Sequence, residues 1–333
     1  MEKKFRRYST IERVVNGFFL LCIFILLVGA VFFGVSWFSK SVEGFFLQNR
    51  QTAALFTADL EASASNLLPS PSQTVAENLL PLRDWNMQEP VLQTRAAISV
   101  EVAAGQDKIL FSQNQQEKLP IASLTKLMTG LIVLEHYDLD QEITINEAAM
   151  SQEGEQGNLK LGEVLTVRAL LRIMLMESSN RAAYALAESR GVPEFLGLMN
   201  VKAQELGLAN TFFQDVTGLG DSSYSTAHDL VRLTEYLFDN HSLFKEVISF
   251  KEYDLYLPDG TFHHTLVSTN ELLGQDTIIG GKTGFTNIAK GCFIVIQKNP
   301  GNNHYIISVV LGSDDRFSQM QYLIDWVGDA YEW

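Results

Sequence analysis

Gly17 to Val35, GFFLLCIFILLVGAVFFGV, runs 19 residues without a charged or strongly polar side chain. At about 1.5 Å of rise per residue, such a helix matches the hydrocarbon core of a bilayer. A secretory signal peptide is the competing reading, but its apolar region is only about 7 to 15 residues long and ends at a small-residue cleavage site. Here the run is longer and continues into SWFSK, where Trp37 suits a membrane interface. The pattern therefore predicts an uncleaved transmembrane anchor over residues 17–38. Lys3, Lys4, Arg6, Arg7 and Arg13 precede it, whereas only Lys40 and Arg50 follow soon after. That asymmetry predicts a cytoplasmic tail over 1–16 and an extracytoplasmic location for everything after the span. Residues 39–92 contain EASASNLLPSPSQ and hold no sustained period, which reads as a stalk or linker.

A compact domain is expected over 93–333. AAISVEVAAGQDKILFSQN alternates as two strands, about 97–102 and 108–113, around a glycine-containing turn. SLTKLMTGLIVLEH is apolar enough for a buried helix. LTVRALLRIMLMESSN carries Leu165, Ala169, Leu170, Ile173 and Met176 near helical spacing, with Thr166 as its N-cap. NRAAYALAESRG and PEFLGLMNVKAQELG each end at a glycine, and STAHDLVRLTEYLF opens with Thr226 and Asp229 in capping-box-like positions. Strands return in GCFIVIQK and YIISVVLGS, joined by NPGNN, and an amphipathic helix over about 315–330 follows. Strands at both ends of a helical middle predict an α+β fold: an antiparallel sheet completed by both ends of the domain, with a helical insertion.

Composition narrows the function classes. Of 333 residues, 46% are hydrophobic and 19% charged, as in a globular protein. A formal net charge of -14 excludes a phosphate-backbone binder, so no nucleic-acid partner is expected. The two cysteines, Cys22 and Cys292, offer no disulfide framework. Six histidines include the pair His263–His264 but no HExxH pattern, so no metal and no cofactor are expected.

Three short patterns carry candidate chemistry. Ser123 and Lys126 stand at i and i+3, on one face of a helix start. If that face is buried, desolvation favours the neutral amine, which can take the serine's proton, and the helix N-terminus favours the developing alkoxide. Ser-x-x-Lys alone is weak, since it recurs at Ser242–Lys245 behind the polar run FDNH. ESSNRAA supplies Ser178 and Asn180 directly after an apolar helix, though Ser-x-Asn also occurs at 112–114 and 268–270. IIGGKTGFTN supplies Lys282, Thr283 and Gly284 on a predicted edge strand, where glycine permits close backbone approach. Singly, each is a solvated charge or a turn. Their order is more specific: Ser-x-x-Lys, Ser-x-Asn 55 residues on, then Lys-Thr-Gly 104 further on.

That triple marks penicillin-binding proteins and class A β-lactamases. From Arg95 to about Trp326 the chain resembles the D-alanyl-D-alanine carboxypeptidases among the low-molecular-mass penicillin-binding proteins. LPIASLTKLMT, LKLGEVLTVRALLRIMLMESSN, NTFFQDVTGL, YSTAHDL, GGKTGFT and GSDDRFSQMQYLIDW look like that family's blocks in that family's order. The resemblance implies a β-lactamase/transpeptidase-like fold: an antiparallel sheet flanked by terminal helices, plus an all-helical subdomain. It implies that Ser123 attacks the carbonyl between the two terminal D-alanines of a peptidoglycan stem pentapeptide, that Lys126 is the base, and that Ser178 relays a proton to the leaving D-alanine. Asn180 would hold the substrate amide and the lysine, and Lys282 and Thr283 the terminal carboxylate. Gly284 carries the third motif, and the N–H groups of Ser123 and Phe285 would form the oxyanion hole. β-Lactam antibiotics would be covalent inhibitors, and the implied process is cell-wall peptidoglycan metabolism.

The chain departs from the pattern at Arg181, where an acidic residue is common, and at Lys290, where glycine is more usual after Ala289. Anchoring is expected from the N-terminal run rather than from a C-terminal amphipathic helix. Other readings stay open at this point. A β-lactamase needs a water-activating glutamate followed three residues later by asparagine after Ser-x-Asn, and ELGLAN has the wrong spacing. A DD-endopeptidase or transpeptidase acting on cross-links would carry the same motifs. A catalytically idle, membrane-tethered module that senses peptidoglycan is a further alternative.

Overall fold

A computed structural model of the chain describes residues 81–103 and 107–333. The expected cytoplasmic tail, membrane span and most of the stalk lie outside those residues. Among the described residues no helix is long and apolar enough to cross a membrane.

The chain enters through β1 (Leu82–Arg83), then β2 (Ala96–Val102), β3 (Lys108–Gln113) and β4 (Leu119–Pro120). A 3-10 turn over Ala122–Leu124 leads into helix α1 (Thr125–His136). There follow β5 (Glu142–Thr144), α2 (Glu147–Met150), β6 (Val164–Thr166), α3 (Val167–Met176), α4 (Asn180–Glu188) and α5 (Val192–Glu205). Next come β7 (Tyr224–Ser225), α6 (Ala227–Asn240), α7 (Ser242–Ser249), β8 (Glu252–Tyr256) and β9 (Phe262–Val267). The chain closes with β10 (Ile278–Thr286), β11 (Lys290–Lys298), β12 (Tyr305–Ser313), α8 (Arg316–Ala330) and β13 (Tyr331–Glu332).

The main sheet has the order β10-β11-β12-β2-β3 and is antiparallel throughout. As the pattern predicts, the domain's first strands pair with its last. Side chains alternate across a strand, and here both faces are covered. Ile98, Val100, Ile294, Ile296, Ile307 and Val309 join Leu127, Leu131, Leu170, Ile173, Leu230 and Leu233 in one large core. Ala97, Phe293, Val295, Ile306 and Val310 face Met320, Leu323 and Val327 of α8 in a second. Burial on both faces explains why β11 and β12 read as nearly unbroken apolar runs. Of the terminal helices expected to flank the sheet, α8 is the one among the described residues.

Thr166 and Thr226 cap their helices as expected, accepting from Ala169 N at 3.1 Å and Asp229 N at 3.0 Å. The second half of the capping box does not form. The Asp229 carboxylate instead accepts from Asn210 N and Thr211 Oγ1, both at 2.9 Å, and fastens that loop. The helical region is also not all helix, because β5 pairs with β6 across the α2 segment, β8–β9 form a small hairpin and β4 pairs with β7. β4 to β7 are two or three residues long, too short to show a period of two. Lys290 adopts φ +58°, the left-handed region, in the β10–β11 turn. That conformation is costless for glycine and strained for lysine, so it explains the usual glycine and nothing in the structure explains the lysine.

The folded unit extends N-terminally of residue 93. β1 pairs with β13, Trp326 Nε1 donates to Gln88 O at 2.8 Å, and Leu92 is 5% exposed. These contacts are made by extended chain, which leaves no periodic signal in the sequence.

Candidate active site

Ser123 lies in the 3-10 turn, one turn ahead of Lys126 in the first turn of α1. The turn is bent at Ala122, which has φ +47°. It is braced from behind by Gly218, at φ +83°, where a Cβ would lie 1.9 Å from the Ala122 carbonyl oxygen. Only glycine lets the two backbones approach so closely.

Lys126 is fully buried. Its Nζ donates to Asn180 Oδ1 and Thr217 O, both at 2.6 Å, and meets Ser123 Oγ at 3.0 Å. Burial pulls its pKa from 10.5 to about 7, with the Asp215 carboxylate opposing the shift. Two of the three partners are pure acceptors and can only take a proton from nitrogen. The hydroxyl alone can donate back. In the neutral form the amine's lone pair therefore has one direction open, towards Ser123 Oγ.

The Ser-x-Asn segment forms the turn between α3 and α4. Ser179 caps α4, accepting from Ala182 N at 3.2 Å. This leaves Ser178 outside the helix, at φ +64°, a strained conformation for serine. Asn180 donates through Nδ2 to Glu153 O at 2.7 Å, so its amide oxygen is held towards Lys126.

Lys282 reaches the same place from the edge strand β10. It is 1% exposed, and its Nζ donates to Ser178 Oγ at 2.8 Å and Thr283 O at 2.9 Å. Burial holds it well below the ordinary lysine range, and the Lys126 and Arg316 charges push in the same direction. Thr283 Oγ1 donates to Thr269 Oγ1 at 2.7 Å. A Cβ on Gly284 would lie 2.9 Å from Ser123 N, so this strand runs against the serine's own amide. Phe285, next along, is 56% exposed beside a cleft of about 400 Å³.

All three motifs thus converge as two hydrogen-bonded groups, Ser123–Lys126–Asn180 and Ser178–Lys282–Thr283, brought side by side where Gly284 lies against the Ser123 amide, with Phe285 next along the strand. Ser242 and Lys245 do not join it; Lys245 Nζ stands 4.5 Å from the centre of the Phe238 ring. Motif reasoning left three contributors without a role: Asp215, Thr217 and Gly218, all within the quoted block NTFFQDVTGL. Asp215 Oδ1 accepts from Thr217 N and Oγ1, both at 2.8 Å, and from Gly218 N. That Asx-turn aims the Thr217 carbonyl at Lys126. Asp-x-Thr-Gly is a turn signal in its own right.

A family model described as D-alanyl-D-alanine carboxypeptidase matches residues 84–315. The chain belongs to that family. Over 252 residues it is 34% identical to D-alanyl-D-alanine carboxypeptidase DacF of Bacillus subtilis, covering 72% of this chain and 63% of that relative's length. It is 29% identical over 248 residues to the D-alanyl-D-alanine endopeptidase of Escherichia coli, covering 72% of this chain and 78% of that one. Among solved structures, the Streptomyces K15 DD-transpeptidase superposes with a TM-score of 0.67 at 28% identity, over 73% of this chain and all of that one. In this member of the carboxypeptidase family, the two groups above occupy the junction of the sheet and the helical region.

Proposed function

We propose that the chain is a serine-type D-Ala-D-Ala carboxypeptidase. It trims the terminal D-alanine from peptidoglycan stem pentapeptides through an acyl-enzyme and binds β-lactams at the same serine. The observation that carries this reading is the single open direction at Lys126 Nζ, 3.0 Å from Ser123 Oγ.

Neutral Lys126 takes the Ser123 proton as Oγ attacks the carbonyl between the two D-alanines. The oxyanion is assigned to the N–H groups of Ser123 and Phe285; such donors are worth about 3 kcal/mol each. The substrate's terminal carboxylate goes to Lys282 and Thr283. Lys282 is pushed towards its neutral form in the free protein, and an arriving carboxylate restores its charge. Ser178, bonded to Lys282, gives its proton to the departing D-alanine nitrogen and takes in exchange the one Lys126 removed from Ser123, which leaves the amine neutral again. Water, giving its proton to Lys126, then attacks the ester carbonyl, and Ser123 Oγ leaves with that proton.

The similarity to an endopeptidase and to a DD-transpeptidase supports a second reading, action on cross-linked peptides. Incubation with a stem pentapeptide and, in parallel, a cross-linked dimer separates the two, with free D-alanine from the pentapeptide expected. Cleavage of the dimer alone would overturn the carboxypeptidase reading. Rapid turnover of penicillin, rather than its retention for minutes, would instead mark a β-lactamase.

We further propose that residues 17–38 hold the chain in the bacterial cell membrane, N-terminus cytoplasmic and catalytic domain outside. The support is the 19-residue apolar run with its asymmetric basic flanks. Full-length chain that resists alkaline extraction, yet is shaved by protease on intact spheroplasts, is expected. Extraction of the full-length chain would overturn the anchor.

A further inference from the structure

Ser178 directly follows Glu177, the C-cap of α3, and takes φ +64°. That place at a helix end ordinarily goes to glycine, because a Cβ is strained there. Serine stands there instead, with its hydroxyl 2.8 Å from Lys282 Nζ. A backbone of this kind persists only where its surroundings over-determine it. After the serine, the turn is pinned by the Ser179 cap of α4. Before it, the pin is the Glu177 side chain.

Both Glu177 carboxylate oxygens are tied to β9. Oε1 accepts from Val267 N at 3.3 Å, and Oε2 lies 3.1 Å from His264 Nε2. A carboxylate at a helix C-terminus faces the negative pole of the dipole, so the helix itself disfavours it there. The histidine that offsets this is held in turn. His264 Nδ1 meets His263 Nδ1. His263, 2% exposed, brings Nε2 to 3.0 Å from Glu163 Oε1, off the line of a hydrogen bond. Which imidazole nitrogen carries the proton follows from the bond made by the other. With Nδ1 accepting from His263, the His264 proton sits on Nε2 and points at Glu177.

We propose that Glu177 and His264 are positioning residues for the leaving-group step. They hold the turn from which Ser178 gives its proton to the departing D-alanine nitrogen, while His263 and Glu163 fix the His264 ring from behind. The inference rests on the proton-relay role of Ser178 in the proposed reaction and adds what keeps that serine in place.

The test uses the full-length protein in detergent and two substrates with the same acyl group. One is the stem pentapeptide. The other is a thioester in which thiolactate replaces the last D-alanine and keeps its carboxylate. Ser123 Oγ forms the same ester bond in both, while a C–N bond breaks in one and a C–S bond in the other. The nitrogen needs a proton to leave, whereas a thiolate departs without one. Glu177→Ala is expected to lower kcat/KM about 100-fold for the pentapeptide but at most about threefold for the thioester, since a displaced acid costs only the step that uses it. His264→Ala should lower the peptide value about tenfold, the worth of one hydrogen bond to a charged group. His264→Gln should recover most of that loss, because its side-chain N–H can still donate to Glu177. Equal falls on both substrates, no fall on the peptide, or a His264→Gln variant as weak as His264→Ala overturns the proposal. Should Glu177→Ala fail to fold, Glu177→Gln, which keeps an oxygen for Val267 N, carries the same comparison. Wild-type protein that leaves the pentapeptide intact would sink the carboxypeptidase reading instead. The split is then read on acylation by penicillin, whose ring nitrogen needs the same proton.

Discussion

Lys126 Nζ lies 2.6 Å from the carbonyl oxygen of Thr217, 91 residues further along the chain. A carbonyl only accepts, so this contact, together with Asn180 Oδ1, fixes where the amine's protons point and leaves its lone pair for Ser123. The lysine's basicity and its aim come from the same enclosure.

Loss of the amine should therefore abolish acylation without unfolding the protein. Ser123→Ala is expected to give no labelled penicillin adduct, and Lys126→Ala to slow adduct formation by roughly 10³-fold, the scale of general-base removal. Lys126→Arg is expected to be equally impaired, since a guanidinium stays protonated. An adduct formed at near wild-type rate in any of the three would refute the assigned roles.

The lowered pKa sets the pH dependence. With Lys126 at about 7, the acylation rate should rise about tenfold per pH unit below that value and level off above it. Stability follows the same titration. Between about 7 and the ordinary 10.5 the unfolded chain binds one more proton here than the native chain. Native stability therefore rises with pH across that window, by up to about 1.4 kcal/mol per unit. In urea melts, Lys126→Met should be the more stable protein near pH 7, with its advantage shrinking towards pH 10. A constant gap would mean that Lys126 titrates alike in both states.

Asp215 has two effects on this group. It raises the Lys126 pKa through its charge and shapes the turn that presents Thr217 O. Asp215→Asn is expected to move the acidic limb of the acylation profile to lower pH, by up to about one unit for a single nearby charge. The plateau should also drop, because a neutral amide oxygen is a weaker acceptor than a carboxylate for the three donors of the Asx-turn. An unshifted limb would show that the charge is screened from Lys126.

Gly284 tests the meeting of strand and turn. A Cβ there falls 2.9 Å from Ser123 N and 3.1 Å from Ile121 O, so Gly284→Ala must push β10 off the 3-10 turn. An edge strand can yield, and the expected outcome is a melting temperature within a few degrees of wild type but acylation slowed on the order of 100-fold, as for a lost oxyanion donor. Full acylation would place the oxyanion donors elsewhere.

Much of this was legible along the chain. The runs FIVI and IISVVL marked β11 and β12 because both faces of the sheet are covered. Thr166 and Thr226 announced two helix starts because a hydroxyl at that place satisfies an orphan N–H. What escaped notice was carried by groups with no side-chain identity. The Thr217 carbonyl is a peptide oxygen like any other in the sequence, and the left-handed backbones at Ala122 and Ser178 sit on residues that rarely adopt them. Extended segments such as Leu82–Arg83 pair only because Tyr331–Glu332 comes alongside.

By itself the sequence determined the long strands and helices and which three motifs carry the chemistry, since periodicity, capping and residue type are local properties. Only the tertiary structure decided that Lys126 is dry, that Lys282 meets Ser178 across 104 residues, and that Ser242 and Lys245 stand apart. Desolvation and direction are properties of an enclosure, and an enclosure exists only once distant segments have closed around a group.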